Sequence, residues 1–126
     1  MNLNQVTLPA TDVAEATAFY RKMGFRLIVE ALPDYVRFEC LTGEATFSLH
    51  RVKRLSEGDG VYVYFECEEL DKTVAELQER GIAFDELPTD KRWLWREARL
   101  KDPAGNQIIL YHAGKNRKFP PWRLEN

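Results

Sequence analysis

Two stretches of the chain place aliphatic or phenylalanine side chains at alternate positions. In Leu3-Asn4-Gln5-Val6-Thr7-Leu8, Val6 and Leu8 share one side and Gln5 and Thr7 the other. In the stretch from Val61 to Glu66, Val63 and Phe65 oppose Tyr62 and Tyr64. A period of two is the mark of a strand whose two faces meet different surroundings. Each stretch is followed by apolar residues at helical spacing: Ala16, Phe19, Tyr20 and Met23 in the first half, Leu70, Val74 and Leu77 in the second. Asp12 with Glu15 three residues later forms a capping box, and Gly24 and Gly81 stand where helices end.

The two halves form a repeat. Setting Gln5 over Tyr62 gives an offset of 57 residues that carries Val13 onto Leu70, Ala18 onto Ala75 and Gly24 onto Gly81 without a gap. Three more strands fit in each half. The first offers Phe25–Glu30, Tyr35–Cys40 and Ala45–Val52; the second offers Ala83–Glu86, Trp93–Lys101 and Gln107–His112, with a strong turn at Asp102-Pro103-Ala104-Gly105-Asn106. The expected fold is α+β: two βαβββ modules forming a curved mixed sheet, with helices on the outer face. The modules span about 1–54 and 60–113, and a tail runs from 114 to 126.

Composition narrows this little. The 126 residues suit one small domain, and a net charge of −2 with no long basic stripe argues against a nucleic-acid partner. No apolar run reaches the ~20 residues that span a bilayer, and the N-terminus lacks a secretory pattern, so a cytoplasmic protein away from membranes is expected. The two cysteines, Cys40 and Cys67, each end a strand-like run and read as buried thiols.

The opening strand and helix (Gln5 to Asp12, Ala18-Phe19-Tyr20, Gly24-Phe25), the second helix from Leu70 to Gly81 and the closing Asp102–Asn106 turn with Ile108-Ile109-Leu110 together resemble the vicinal oxygen chelate superfamily. That superfamily includes glyoxalase I, extradiol dioxygenases, and fosfomycin- and bleomycin-resistance proteins. The resemblance covers residues 3 to 112. It implies four metal-ligand positions on the first and last strands of each module, usually His, Glu or Gln. Here they hold Gln5, Ser48, Tyr62 and Ile109, and only Gln5 is a family-type ligand. A catalytic divalent site generally needs about three protein donors. No metal and no other cofactor is therefore expected.

Alternation also predicts what lines the face away from the helices. Gln5, Thr7, Arg37, Ser48, Tyr62, Tyr64, Trp95, Arg99 and Tyr111 are the expected ligand-binding residues, with Glu39, Glu66 and Ile109 on the same face. The arginines suit a carboxylate or phosphate and the aromatics a ring. The competing reading is cross-strand pairing of Arg with Glu and ordinary aromatic packing. His50 and Glu97 are the candidate catalytic acid–base pair, whereas His112 falls out of phase with Ile109 and belongs at the strand end. Three functions follow: metal-free binding of a small organic ligand; a lyase or isomerase of the glyoxalase type, working beside a carbonyl with non-standard metal ligands or His50 and Glu97; or a structural dimer with a vestigial site. The first is preferred. The resemblance implies a homodimer. The tail, with Pro120-Pro121 between Phe119 and Trp122, is expected to be ordered and extended, with Trp122 buried against the domain or at a dimer interface.

Overall fold

Each alternating stretch becomes the first strand of a four-stranded sheet. The computed structural model describes residues 1–125. They divide into two compact units, residues 1–61 with 102–106, and residues 62–101 with the segment from 107 onward. Unit 1 contains β1 (Gln5–Ala10), α1 (Val13–Lys22), β2 (Arg26–Ala31), β3 (Tyr35–Glu39) and β4 (Thr46–Arg51). Unit 2 contains β5 (Tyr62–Glu66), α2 (Leu70–Glu79), β6 (Glu86–Asp90), β7 (Arg96–Lys101) and β8 (Gln107–His112). The sheet orders are β1-β4-β3-β2 and β5-β8-β7-β6, each with its first pair parallel and the rest antiparallel. This is the expected α+β fold of two βαβββ modules.

The offset of 57 holds at both ends of both helices. Both helices also stop the same way. Gly24 and Gly81 take φ of 103° and 87°, left-handed values that cost glycine little. Phe25 N–H then reaches back to Tyr20 O at 3.1 Å, and Ile82 N–H to Leu77 O at 3.0 Å, which satisfies carbonyls the helix leaves open. The starts differ. Asp12 accepts from Glu15 N–H at 3.0 Å, as the capping box predicts, whereas Glu69 makes no side-chain cap.

The layer between helix and sheet differs as well. In unit 1, Tyr20 lies within 6.2 Å, centroid to centroid, of the rings of Phe19, Phe25, Phe38 and Phe47. In unit 2, Leu70, Val74, Leu77, Ile82, Ala98, Leu100, Ile108 and Leu110 form a largely aliphatic core. The Tyr20 hydroxyl is buried and donates to Asp102 Oδ2 at 2.7 Å. Asp102 also accepts from Ala104 N–H, Asn106 N–H and Asn106 Nδ2, so the turn signalled by Asp102-Pro103-Ala104-Gly105-Asn106 is built around one fully satisfied carboxylate. Burial, with the Asp102 charge adding, pushes the Tyr20 phenol far above its ordinary range.

Three expectations need correction. The strand expected at Ala83–Glu86 starts at Glu86. Ile82 is buried at the helix end, and Pro88 sits where the β6–β7 register shifts on an edge strand, which tolerates a missing N–H. The strand expected from Trp93 starts at Arg96, because residues 91–95 form a hairpin turn with Leu94 at φ 68°. The tail is a run of turns, not an extended segment. Arg123 N–H bonds Pro120 O at 3.0 Å, so Pro121 occupies the second turn position, which its fixed φ favours. Trp122 is 56% exposed and is not buried against the domain. Arg123 stacks on Phe119 at 4.5 Å. Cys40 and Cys67 are free and half-buried, and burial raises both thiols.

Candidate functional site

Strand register assigns the helix-free faces. In unit 1, Gln5 and Thr7 pair with Thr46 and Ser48, and Arg37 pairs with Ser48. Gln5, Thr7, Tyr35, Arg37, Ser48 and His50 therefore share one face. In unit 2, Tyr64 pairs with Ile109, Glu66 with Tyr111, Arg99 with Ile109 and Glu97 with Tyr111, so these side chains share a face with Tyr62. The structure thus places every expected binding residue on a helix-free face, in two separate sets. His50 and Glu97 belong to different units.

Unit 1 carries a polar network. Gln5 Nε2 donates to Ser48 Oγ at 2.7 Å, and Thr46 Oγ1 donates to Gln5 Oε1. Ser48 is fully buried, and its Oγ lies 2.6 Å from the Tyr35 hydroxyl. Arg37 Nε donates to that hydroxyl at 3.0 Å. The Ser48 hydrogen bond, then those of Arg37 and its charge, hold the Tyr35 phenol below the ordinary tyrosine range despite some desolvation. Tyr35 was missed from sequence because it opens a strand after a turn and reads there as packing. The signal available was its spacing of two from Arg37, which places both side chains on one face.

Unit 2 carries an aromatic platform. Trp95 and Tyr111 stack at 4.8 Å with an interplanar angle of 26°, and Tyr64 meets both edge-on at 5.8 and 5.4 Å. Tyr62 and Tyr64 remain 36% and 41% exposed. Below them Glu97 is fully buried. Its Oε2 accepts from Trp93 Nε1 at 2.7 Å and its Oε1 from Arg99 Nη2 at 3.3 Å. The Arg99 guanidinium carbon lies 5.7 Å from the Tyr62 ring centroid, and its Nε is buried without a hydrogen-bond partner. Burial first, then the Glu97 charge, raises the Tyr64 phenol; burial and Glu66 do the same at Tyr111. Glu66 is committed locally: its Oε2 accepts from Ala113 and Gly114 N–H at 2.8 and 2.9 Å and caps the short 3₁₀ turn after β8. His112 ends β8, exposed, with Nδ1 3.0 Å from Cys67 O, as its phase predicts.

These residues do not fit the divalent ion implied by the resemblance. The Gln5 amide is engaged at both ends, Ser48 is enclosed between Gln5 and Tyr35, and Ile109 is buried hydrocarbon. Among the described residues no three His, Cys, Asp or Glu side chains form a group able to hold a metal. A shallow cleft of about 360 Å³ opens at the start of α2, but its two basic side chains are already paired, Lys72 with Glu69 and Arg96 with Asp71 and Asp90.

Two βαβββ units, each with a helix-free face, define an α+β fold built from a repeated module. The family model for the Glyoxalase/Bleomycin resistance protein/Dioxygenase superfamily matches residues 2–110, and the chain belongs to that superfamily. It is 28% identical, over 88% of its length and 98% of the relative's, to the uncharacterized protein YraH of Bacillus subtilis (strain 168). Its fold is similar to a glyoxalase/bleomycin resistance protein/dioxygenase from Nocardioides, with a TM-score of 0.79, 23% identity, and 99% and 90% of the two chains covered. It is also similar to a bleomycin-binding protein solved in complex with bleomycin, with a TM-score of 0.72, 17% identity, and 89% and 98% covered. No helix is long and apolar enough to cross a membrane among the described residues.

Proposed function

We propose that this protein binds a small, flat organic molecule on the helix-free face of unit 2 and does so without a metal ion. The observation that carries the reading is the platform itself: Tyr62 and Tyr64 stay more than a third exposed beside the Trp95–Tyr111 stack, with Arg99 at its edge. Exposed aromatic surface of this kind costs free energy until something covers it. A flat ring covers it at little entropic cost, because the ring contacts already hold Tyr64, Trp95 and Tyr111 against one another. The fold shared with a protein solved with bleomycin bound supports a ligand of this general sort. In this reading Glu97 anchors Arg99 rather than abstracting a proton, since both its oxygens are engaged. The metal-free part rests on the donor set, in which Gln5, Ser48 and Ile109 leave no room for three ligands. The protein acts as a homodimer in this reading, the commonest assembly of small protomers, which sedimentation tests.

The test is calorimetric titration of bleomycin and of neutral 2-naphthol into the protein, with and without EDTA. Binding should survive the chelator and fall at least tenfold in Trp95→Ala. Absence of binding by both compounds, or binding that appears only with added zinc, nickel or manganese, would sink the proposal.

A further inference from the structure

Arg37 is a half-buried cation without a carboxylate. Its strand neighbour on the same face, Glu39, pairs with Arg26 at 3.4 Å. Among the described residues, carboxylates pair with Arg26, Arg51, Arg96 and Arg99, and none pairs with Arg37. The repeat makes the vacancy visible. Arg37 and Arg99 hold equivalent places, pairing with Ser48 and Ile109 on the last strand of their units. Two residues before Arg99 stands the buried Glu97; two residues before Arg37 stands Tyr35, a neutral phenol. Unit 1 keeps the cation and lacks the anion.

We infer that Arg37, with Tyr35 and Ser48, is a binding site for an oxyanion, the carboxylate or phosphate of a small acid. The guanidinium is oriented for it. Nε is tied to the Tyr35 hydroxyl at 3.0 Å, which leaves both Nη groups as parallel donors matching two oxygens of one anion. The Tyr35 hydroxyl is backed in turn by Ser48, and Ser48 by Gln5 Nε2, which can only donate. With Ser48 donating to Tyr35, the phenol proton is free to point at the same oxyanion. The inference goes beyond the unit 2 platform, which takes a ring and needs no charge.

The test uses the Arg37 Nε–H resonance of the whole chain, titrated with sodium phosphate and separately with sodium acetate. Sodium chloride at matched ionic strength is the control. Saturable shifts at Arg37 with either anion, absent with chloride, are expected; the tighter anion assigns the class. Arg37→Gln should weaken binding at least tenfold and Tyr35→Phe three- to tenfold. Arg54→Gln, in an exposed loop, should change it less than twofold. Chloride shifting the resonance equally, or Arg54→Gln weakening binding as much as Arg37→Gln, overturns the site. If Arg37→Gln fails to fold, the unmutated chain still decides, because its own resonance either saturates or does not. Neither probe carries a ring, so failure here leaves the platform reading untouched, and failure with 2-naphthol leaves this one untouched.

Discussion

The two units carry most of their aromatic residues on opposite faces, Tyr35 being the exception in unit 1. Unit 1 packs Tyr20, Phe38 and Phe47 between helix and sheet and presents Gln5, Thr7, Ser48 and Arg37 on the other side. Unit 2 packs leucine, isoleucine and valine under its helix and presents Tyr62, Tyr64, Trp95 and Tyr111. Strand order and the way the helices stop are the same. A repeated scaffold therefore leaves the chemistry of each helix-free face free to diverge, and function has to be argued from each face separately.

The comparison can be broken first at its cores. Phe47→Ala should cost about 3–5 kcal/mol in chemical denaturation, and the equivalent Ile108→Ala about 2–4 kcal/mol, because the smaller side chain leaves a smaller cavity. Equal losses, or a larger loss at Ile108, would mean that the aromatic core is not the stronger of the two.

The next largest effect belongs to the paired arginine. Arg99→Met leaves the buried Glu97 with only the Trp93 N–H and should cost about 2–3 kcal/mol. Arg37→Met strands no carboxylate and should cost under about 1 kcal/mol. Similar losses at both would contradict the assignment of Glu97 as the anchor.

Tyr20→Phe should cost about 1–2 kcal/mol by removing the donor to Asp102. The folded phenol holds its proton far more tightly than the unfolded one, so its contribution is complete below pH 10.0 and is lost as pH rises above that value. The variant should therefore show a flatter fall in stability on the alkaline side, measured by melting across that range. The smallest effect is expected at Trp122. With more than half its surface exposed, Trp122→Ala should change stability by less than about 0.5 kcal/mol.

Most of this architecture was legible in the sequence where a local rule acts alone. The offset of 57 located both helices, Asp12 and Gly24 marked a start and a stop, and strict alternation assigned Gln5, Arg37, Tyr64 and Arg99 to the correct faces. Legibility failed where a residue answers to two constraints. Pro88 looks like a breaker yet sits at an edge-strand irregularity, and Leu94 takes a left-handed φ that nothing in its side chain announces. Trp93 reads as a strand residue, but its indole caps the buried Glu97 from the hairpin. The tail's proline pair suggested extension, whereas Pro121 serves a turn. Tyr35 shares the face of Arg37 by its spacing of two, but its role was not legible because it depends on Ser48 from the neighbouring strand.

The central claim is that unit 2's aromatic face takes a flat ligand without metal. The most direct measurement is an NMR titration of 2-naphthol into EDTA-treated protein, followed at the aromatic resonances of both units. The predicted result is saturable shifts at Tyr62, Tyr64, Trp95 and Tyr111, with Tyr20, Phe38 and Phe47 unmoved. Shifts that are absent, that centre on unit 1, or that require an added divalent ion would contradict it.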